Sequence, residues 1–137
     1  MRVVKFAIKG EPRWGVLDGP EIALFKGHPE FCDYETTGER IPLKDVHVLP
    51  PTLPTTKIVC IGKNYADHAA EMGGDLPPEP LIFLKPSTSL IADKETIVLP
   101  TISERVDHEG ELAIVIGSIA KDVKEEDVYD VIMGFTI

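Results

Sequence analysis

The stretch Asp107-His108-Glu109-Gly110-Glu111-Leu112-Ala113-Ile114-Val115-Ile116-Gly117 reads as one long β-strand with an acidic entrance and an apolar body. Alternate side chains of a strand share a face, so Asp107, Glu109 and Glu111 point one way and His108 the other. Carboxylates at i, i+2 repel each other. The repulsion is tolerable at a solvated strand edge, where charge also guards against edge-to-edge aggregation, or where a cation neutralises it. Hard divalent ions such as Mg²⁺ take carboxylates together with water and substrate oxygens, and the run Leu112–Ile116 would anchor such a site in a core. Taken alone, the acidic row is compatible with both readings, and two carboxylates leave a cage short of a further oxygen.

Downstream of this strand, Glu125–Val131 reads as a short helix with an acidic first turn, as the helix dipole prefers. The apolar run Met133-Gly134-Phe135-Thr136-Ile137 then has no polar cap behind it, which suggests a fold continuing past Ile137. Upstream, Ile97-Val98-Leu99-Pro100 suggests a short strand or turn, and Pro80–Leu84 a strand ending at Lys85-Pro86-Ser87. Lys57–Ile61 reads as a buried strand ending in Gly62. Between those strands, Tyr65–Met72 is a helical candidate stopped by Gly73-Gly74.

The stiff segment Pro50-Pro51-Thr52-Leu53-Pro54 would interrupt a helix or central strand, so it marks a linker. It divides the chain into residues 1–52, a small β-rich domain, and residues 53–137, the first portion of a larger core. In the first part, the apolar residues of 2–8, the run Trp14–Leu17, the turn pair Asp18-Gly19 and the run Ile22–Phe25 suggest a β-meander over about the first 26 residues. The stretch from Lys26 to Leu43, rich in Gly, Pro and charge, reads as surface connection. The fold class expected is α+β, mostly β.

Bulk properties exclude several classes of function. The 137 residues carry a formal net charge of −9 with no basic stripe, which argues against nucleic acid, whose phosphates are held by clustered Lys and Arg. No apolar run approaches the roughly 20 residues needed to cross a bilayer, and the opening Met1-Arg2-Val3-Val4-Lys5 lacks the apolar stretch expected of a signal peptide. Cys32 and Cys60 have neither ligand-like spacing nor the numbers of a disulfide scaffold, and Cys60 reads as a small core residue. A cytoplasmic location is the expectation.

A second constellation lies in Gly62-Lys63-Asn64-Tyr65-Ala66-Asp67-His68-Ala69-Ala70-Glu71. On a helix His68 and Glu71, three apart, share a face. A carboxylate beside an imidazole fixes its tautomer and raises its basicity, which suits a general base. The same spacing also makes an ordinary surface ion pair. The Gly73-Gly74 pair behind it would let the helix move as a lid. Lys63 and Lys85 could pair with substrate carboxylates or be merely solvated.

Three motifs occur in order: Ile61-Gly62-Lys63-Asn64-Tyr65-Ala66-Asp67-His68 with Glu71, then Phe83-Leu84-Lys85-Pro86-Ser87, then His108-Glu109-Gly110-Glu111-Leu112 leading to Val115-Ile116-Gly117. As an ordered set, spanning about Lys57 to Ile137, they resemble the fumarylacetoacetate hydrolase family, and the first 50 residues resemble the small domain preceding the core in many bacterial and archaeal members. The resemblance implies a mixed β-roll core with flanking helices, a bound Mg²⁺ or Mn²⁺, and a homodimer. It implies metal ligation by Glu109 and Glu111, a water-orienting dyad of His68 and Glu71, and a substrate pocket near Lys63, Asn64, Tyr65 and Lys85. The family's third metal ligand, an aspartate, and a catalytic lysine are expected beyond Ile137.

The chemistry implied is metal-assisted reaction beside a carbonyl of a small 2-oxo acid. Acylpyruvate or fumarylpyruvate-type C–C hydrolysis comes first. Oxaloacetate decarboxylation and isomerisation of 2-hydroxyhepta-2,4-diene-1,7-dioate use the same groups, and a non-catalytic acidic module is the reading from another class.

Overall fold

The structure, a computed structural model, describes residues 1–29 and 34–137; Cys32 lies outside the described residues. The protein is mostly β. It divides into two compact units, one of Met1–Thr52 with Ala92–Ile137 and one of Leu53–Ile91, so residues 92–137 group with the N-terminal segment rather than with residues 53–91.

In the first unit, strands β1 (Val3–Ile8), β2 (Glu11–Asp18), β3 (Glu21–Lys26), β4 (Glu35–Pro42) and β5 (His47–Leu49) form one antiparallel sheet in the order β4-β3-β2-β1-β5. Its hairpins follow from their turn residues. Lys9 and Gly10, both at positive φ, join Ile8 to Glu11, as a two-residue primed turn requires. The next turn is centred on Gly19-Pro20, one residue later than the Asp18-Gly19 pair suggests, because Asp18 itself pairs with Glu21. Gly19 supplies the positive φ at the first central position.

Alternation puts Phe6, Ile22 and Leu24 on one face, where Phe6 and Ile22 are fully buried and Leu17, Ile41, Leu43 and Val46 pack against them. The other face buries Trp14, Phe25 and the stem of Lys5, whose ammonium sits 5.0 Å from the Trp14 ring centroid.

The expected surface connection over Lys26–Leu43 contains strand β4. Its exposed residues hide the alternation of a half-buried strand, since β4 is a sheet edge. Arg40 on β4 pairs with Asp18 and, at 2.9 Å, with Glu21. These bonds raise the guanidinium pKa above its already high ordinary value, the Asp18 hydrogen bond contributing most.

In the rest of this unit, the turn after Ala92 is tied to β5 by the Asp93 N–H, which donates to the Val48 carbonyl. Strand β8 covers only Ala113–Ile116, paired with β9 (Ile132–Thr136). The long strand expected from Asp107 therefore forms only in its apolar half. The β9 ladder reaches no further than Ala113, and Asp107–Leu112 lie outside any strand. Ile97–Pro100 form no strand either. The helix expected at Glu125–Val131 is a 3₁₀ helix.

The second unit is a two-stranded ribbon, β6 (Lys57–Gly62) against β7 (Leu81–Pro86), with helix α1 (Ala66–Glu71) in its connection. Expected to be buried, β6 is half-exposed along its length, and Cys60 is a partly buried free thiol rather than a core residue. Among the described residues no helix is long and apolar enough to cross a membrane.

Candidate functional site

Strand β6 ends at Gly62, and the chain turns immediately. Lys63 takes φ +52, a left-handed conformation rare for a side chain-bearing residue. Tyr65 then occupies the N-cap of α1 in extended geometry, and its carbonyl accepts from the Ala69 N–H at 3.0 Å. The helix is short because two glycines stop it. The Gly73 N–H bonds the Ala70 carbonyl and the Gly74 N–H the Ala69 carbonyl, with Gly73 at φ +72. That is the paired bonding of a Schellman termination.

This scaffold carries five of the residues the sequence singles out, Lys63, Asn64, Tyr65, His68 and Glu71. His68 and Glu71 meet on one face of α1, with His68 Nδ1 4.0 Å from Glu71 Oε2. At that separation the two groups are neighbours beyond hydrogen-bonding distance. Glu71 is largely exposed and His68 about a third exposed, so the contact contributes little to stability. Lys63 is half-buried, while Asn64 and Tyr65 are exposed. Lys85 is on β7, opposite Ile58 of β6, with its ammonium near the Phe83 ring.

Glu109 and Glu111 occupy the irregular segment ahead of β8, both exposed. Asp107, the third member of the acidic row, is engaged by Arg105, whose Nε lies 2.7 Å from its carboxylate. Among the described residues no group of three or more His, Cys, Asp or Glu gathers as metal ligands do. The donors nonetheless fit the expected ion in kind, because Mg²⁺ is commonly held by one or two carboxylates, with water and substrate oxygens completing its shell.

Two concavities of about 650 Å³ each lie in the first unit. Trp14, Tyr34, Met133 and Phe135 help line one; Lys44, Asp93 and Lys94 help line the other. Neither takes a wall from the residues singled out above, so a concave apolar surface does not by itself locate the chemistry here. One participant escapes a reading of the sequence, in which Gly73 and Gly74 serve only as stop and hinge. A β-carbon on Gly74 would lie 2.9 Å from the Lys63 Nζ.

Comparison with known proteins bears on this arrangement. The family described as "Fumarylacetoacetate (FAA) hydrolase C-terminal" matches residues 57–137, and that described as "Rv2993c-like, N-terminal" matches residues 1–51. Protein Rv2993c of Mycobacterium tuberculosis is 54% identical over 129 residues, 93% of this chain and 46% of that protein. The mitochondrial oxaloacetate tautomerase FAHD1 of Arabidopsis thaliana is 49% identical over 82 residues, 60% of this chain and 37% of its own length. Among solved structures, 5-carboxymethyl-2-hydroxymuconate delta-isomerase from Mycobacterium smegmatis superposes with a TM-score of 0.80 at 39% identity, covering 98% of this chain and 52% of that one. The chain thus spans less than half the length of these two curated relatives.

Proposed function

The chain belongs to the fumarylacetoacetate hydrolase family, and on that premise we propose that it serves an enzyme moving a proton beside the carbonyl of a small 2-oxo acid. The observation that carries the reading is the pairing of His68 with Glu71 at 4.0 Å on α1, one turn beyond a loop that presents Lys63, Asn64 and Tyr65. The names of two relatives, a tautomerase and an isomerase, support proton transfer over C–C hydrolysis. Hydrolysis remains the second reading, since the same imidazole could activate water.

In this proposal the Lys63 ammonium binds the substrate carboxylate by a charge-assisted hydrogen bond. Asn64, Tyr65 and Lys85 complete the polar contacts that orient the acid. The His68 imidazole, with Glu71 beside it on α1, takes the proton from the carbon next to the carbonyl and returns it to the oxygen or to a carbon further along the conjugated chain. Glu109 and Glu111 would hold a divalent cation, Mg²⁺ or Mn²⁺, which when bound would supply Lewis-acid polarisation of a carbonyl. The mixed β-roll core and the homodimer implied by the family, with the division at residue 52 and the cytoplasmic location expected from the sequence, belong to the same proposal.

The test is His68→Ala in the purified protein, with oxaloacetate tautomerisation and acylpyruvate hydrolysis measured side by side. Losing the general base should lower tautomerisation by about 10²–10⁴-fold, with Mn²⁺ affinity unchanged by titration. Undiminished turnover would remove His68 from the reaction. Hydrolysis by the parent protein without tautomerisation would promote the second reading.

A further inference from the structure

Lys63 presents a geometric problem that α1 solves. Its backbone lies in the left-handed region, which side chain-bearing residues avoid, and this bend starts the side chain on its course. The far end of that side chain arrives at the other end of the helix. A β-carbon on Gly74 would come 2.9 Å from Nζ, closer than an ammonium and a methyl group can sit, and, apart from Gly74 and its two chain neighbours, no other heavy atom lies within 4 Å of that position. The ammonium thus occupies the space that a side chain at position 74 would fill. Gly74 is itself pinned, because its N–H donates to the Ala69 carbonyl at 3.2 Å, and Ala69 is the buried residue of α1.

We propose that Gly74 is a positioning residue for the Lys63 ammonium and, through it, sets the affinity for the substrate carboxylate. The inference rests on the role given to Lys63 above. Gly74 does not lie at positive φ, whereas Gly73 does. Alanine at 74 therefore meets no left-handed strain; it meets only the end of a flexible side chain, which moves aside. The substitution displaces the charge while leaving the fold in place. Alanine at 73 strains the helix cap instead.

The experiment compares Gly74→Ala, Lys63→Gln, their double variant and Gly73→Ala in the purified protein. Turnover of oxaloacetate gives KM and kcat, and thermal melting gives stability. Reductive ¹³C-methylation of the lysines, with the Lys63 resonance assigned through its loss in Lys63→Gln, reports the ammonium's surroundings without reference to activity. Lys63→Gln should raise KM by about 10–100-fold, the worth of a hydrogen bond to a charged group. Gly74→Ala should raise KM by about three- to tenfold with kcat held within about twofold, a loss of uniform binding. It should also shift the Lys63 resonance and leave the melting temperature unchanged, whereas Gly73→Ala should lower it. In the Lys63→Gln background, Gly74→Ala should add nothing.

An unmoved Lys63 resonance in Gly74→Ala overturns the placement. A normal KM in Gly74→Ala beside a raised one in Lys63→Gln overturns the positioning role while sparing the reading of Lys63. A normal KM in Lys63→Gln removes that reading, and the substrate half of this proposal with it.

Discussion

The five-stranded sheet of residues 3–49 and the ribbon-and-helix unit of residues 53–91 use apolar residues in opposite ways. The sheet buries both faces of its middle strands and sets Phe6 and Ile22 out of reach of solvent. The ribbon buries Ala69 alone and leaves Val59, Leu81, Ile82, Phe83 and Leu84 exposed. Two strands without a covering layer are marginal in water. Yet the ribbon unit carries His68, Glu71 and Lys63, and the well-packed sheet carries none of the residues proposed for chemistry. Packing and reactivity are assigned to different stretches of one chain, so the first can be damaged with little effect on the local geometry of the second.

Phe6→Ala tests that separation with the largest expected effect. Removing a fully buried phenylalanine costs roughly 3–5 kcal/mol. Trp14, the only tryptophan, sits in the same sheet and reports its unfolding by fluorescence. The urea midpoint of that signal should fall steeply, while the Lys63 methyl resonance keeps its position below the transition. If the Lys63 signal moves with the sheet, the two regions are coupled and the contrast fails.

Gly15→Ala should act in the same direction at about 1–3 kcal/mol, the usual cost of overpacking. Gly15 crosses β3 so closely that a β-carbon would lie 2.5 Å from the Ala23 carbonyl oxygen, a backbone atom that cannot swing aside. This is the reverse of Gly74, where the neighbouring atom is the tip of a lysine. Stability unchanged in Gly15→Ala would mean that the sheet yields more readily than its close packing implies.

The contrast was only partly legible in the sequence. The hairpins of the meander show because turn residues and alternating apolar positions coincide, and α1 shows because Gly73-Gly74 ends it. Strand β4 escapes notice because an edge strand with polar side chains lacks a hydrophobic period. Asp107–Leu112 mislead in the opposite sense: alternating carboxylates imitate a strand, but a strand exists only where a ladder partner runs beside it, and β9 pairs from Ala113 onward. His68 and Glu71 follow from helical spacing alone. The nearness of the Lys63 ammonium to the open position at Gly74 does not, because it accompanies a positive φ at a lysine, a conformation its residue type gives no reason to expect.

The smallest predicted effect cuts deepest into the comparison. Val59 is 60% exposed and pairs across the ribbon with Leu84, itself 55% exposed. Val59→Thr keeps the branched side chain that suits a strand and exchanges one methyl for a hydroxyl. On an open surface that hydroxyl is hydrated, and the change should stay within about 0.5 kcal/mol. Under a covering layer it would lose its water and add about 1–3 kcal/mol of unmet hydrogen bonding. Amide exchange along β6 in the purified protein separates the cases, because it reads the opening free energy of this ribbon independently of the sheet. Matched exchange in parent and variant would make the exposed row a lasting property of the unit that bears His68. Faster exchange across Lys57–Gly62 in the variant would show that something covers the row, and that the ribbon's low burial describes the chain by itself rather than the protein at work.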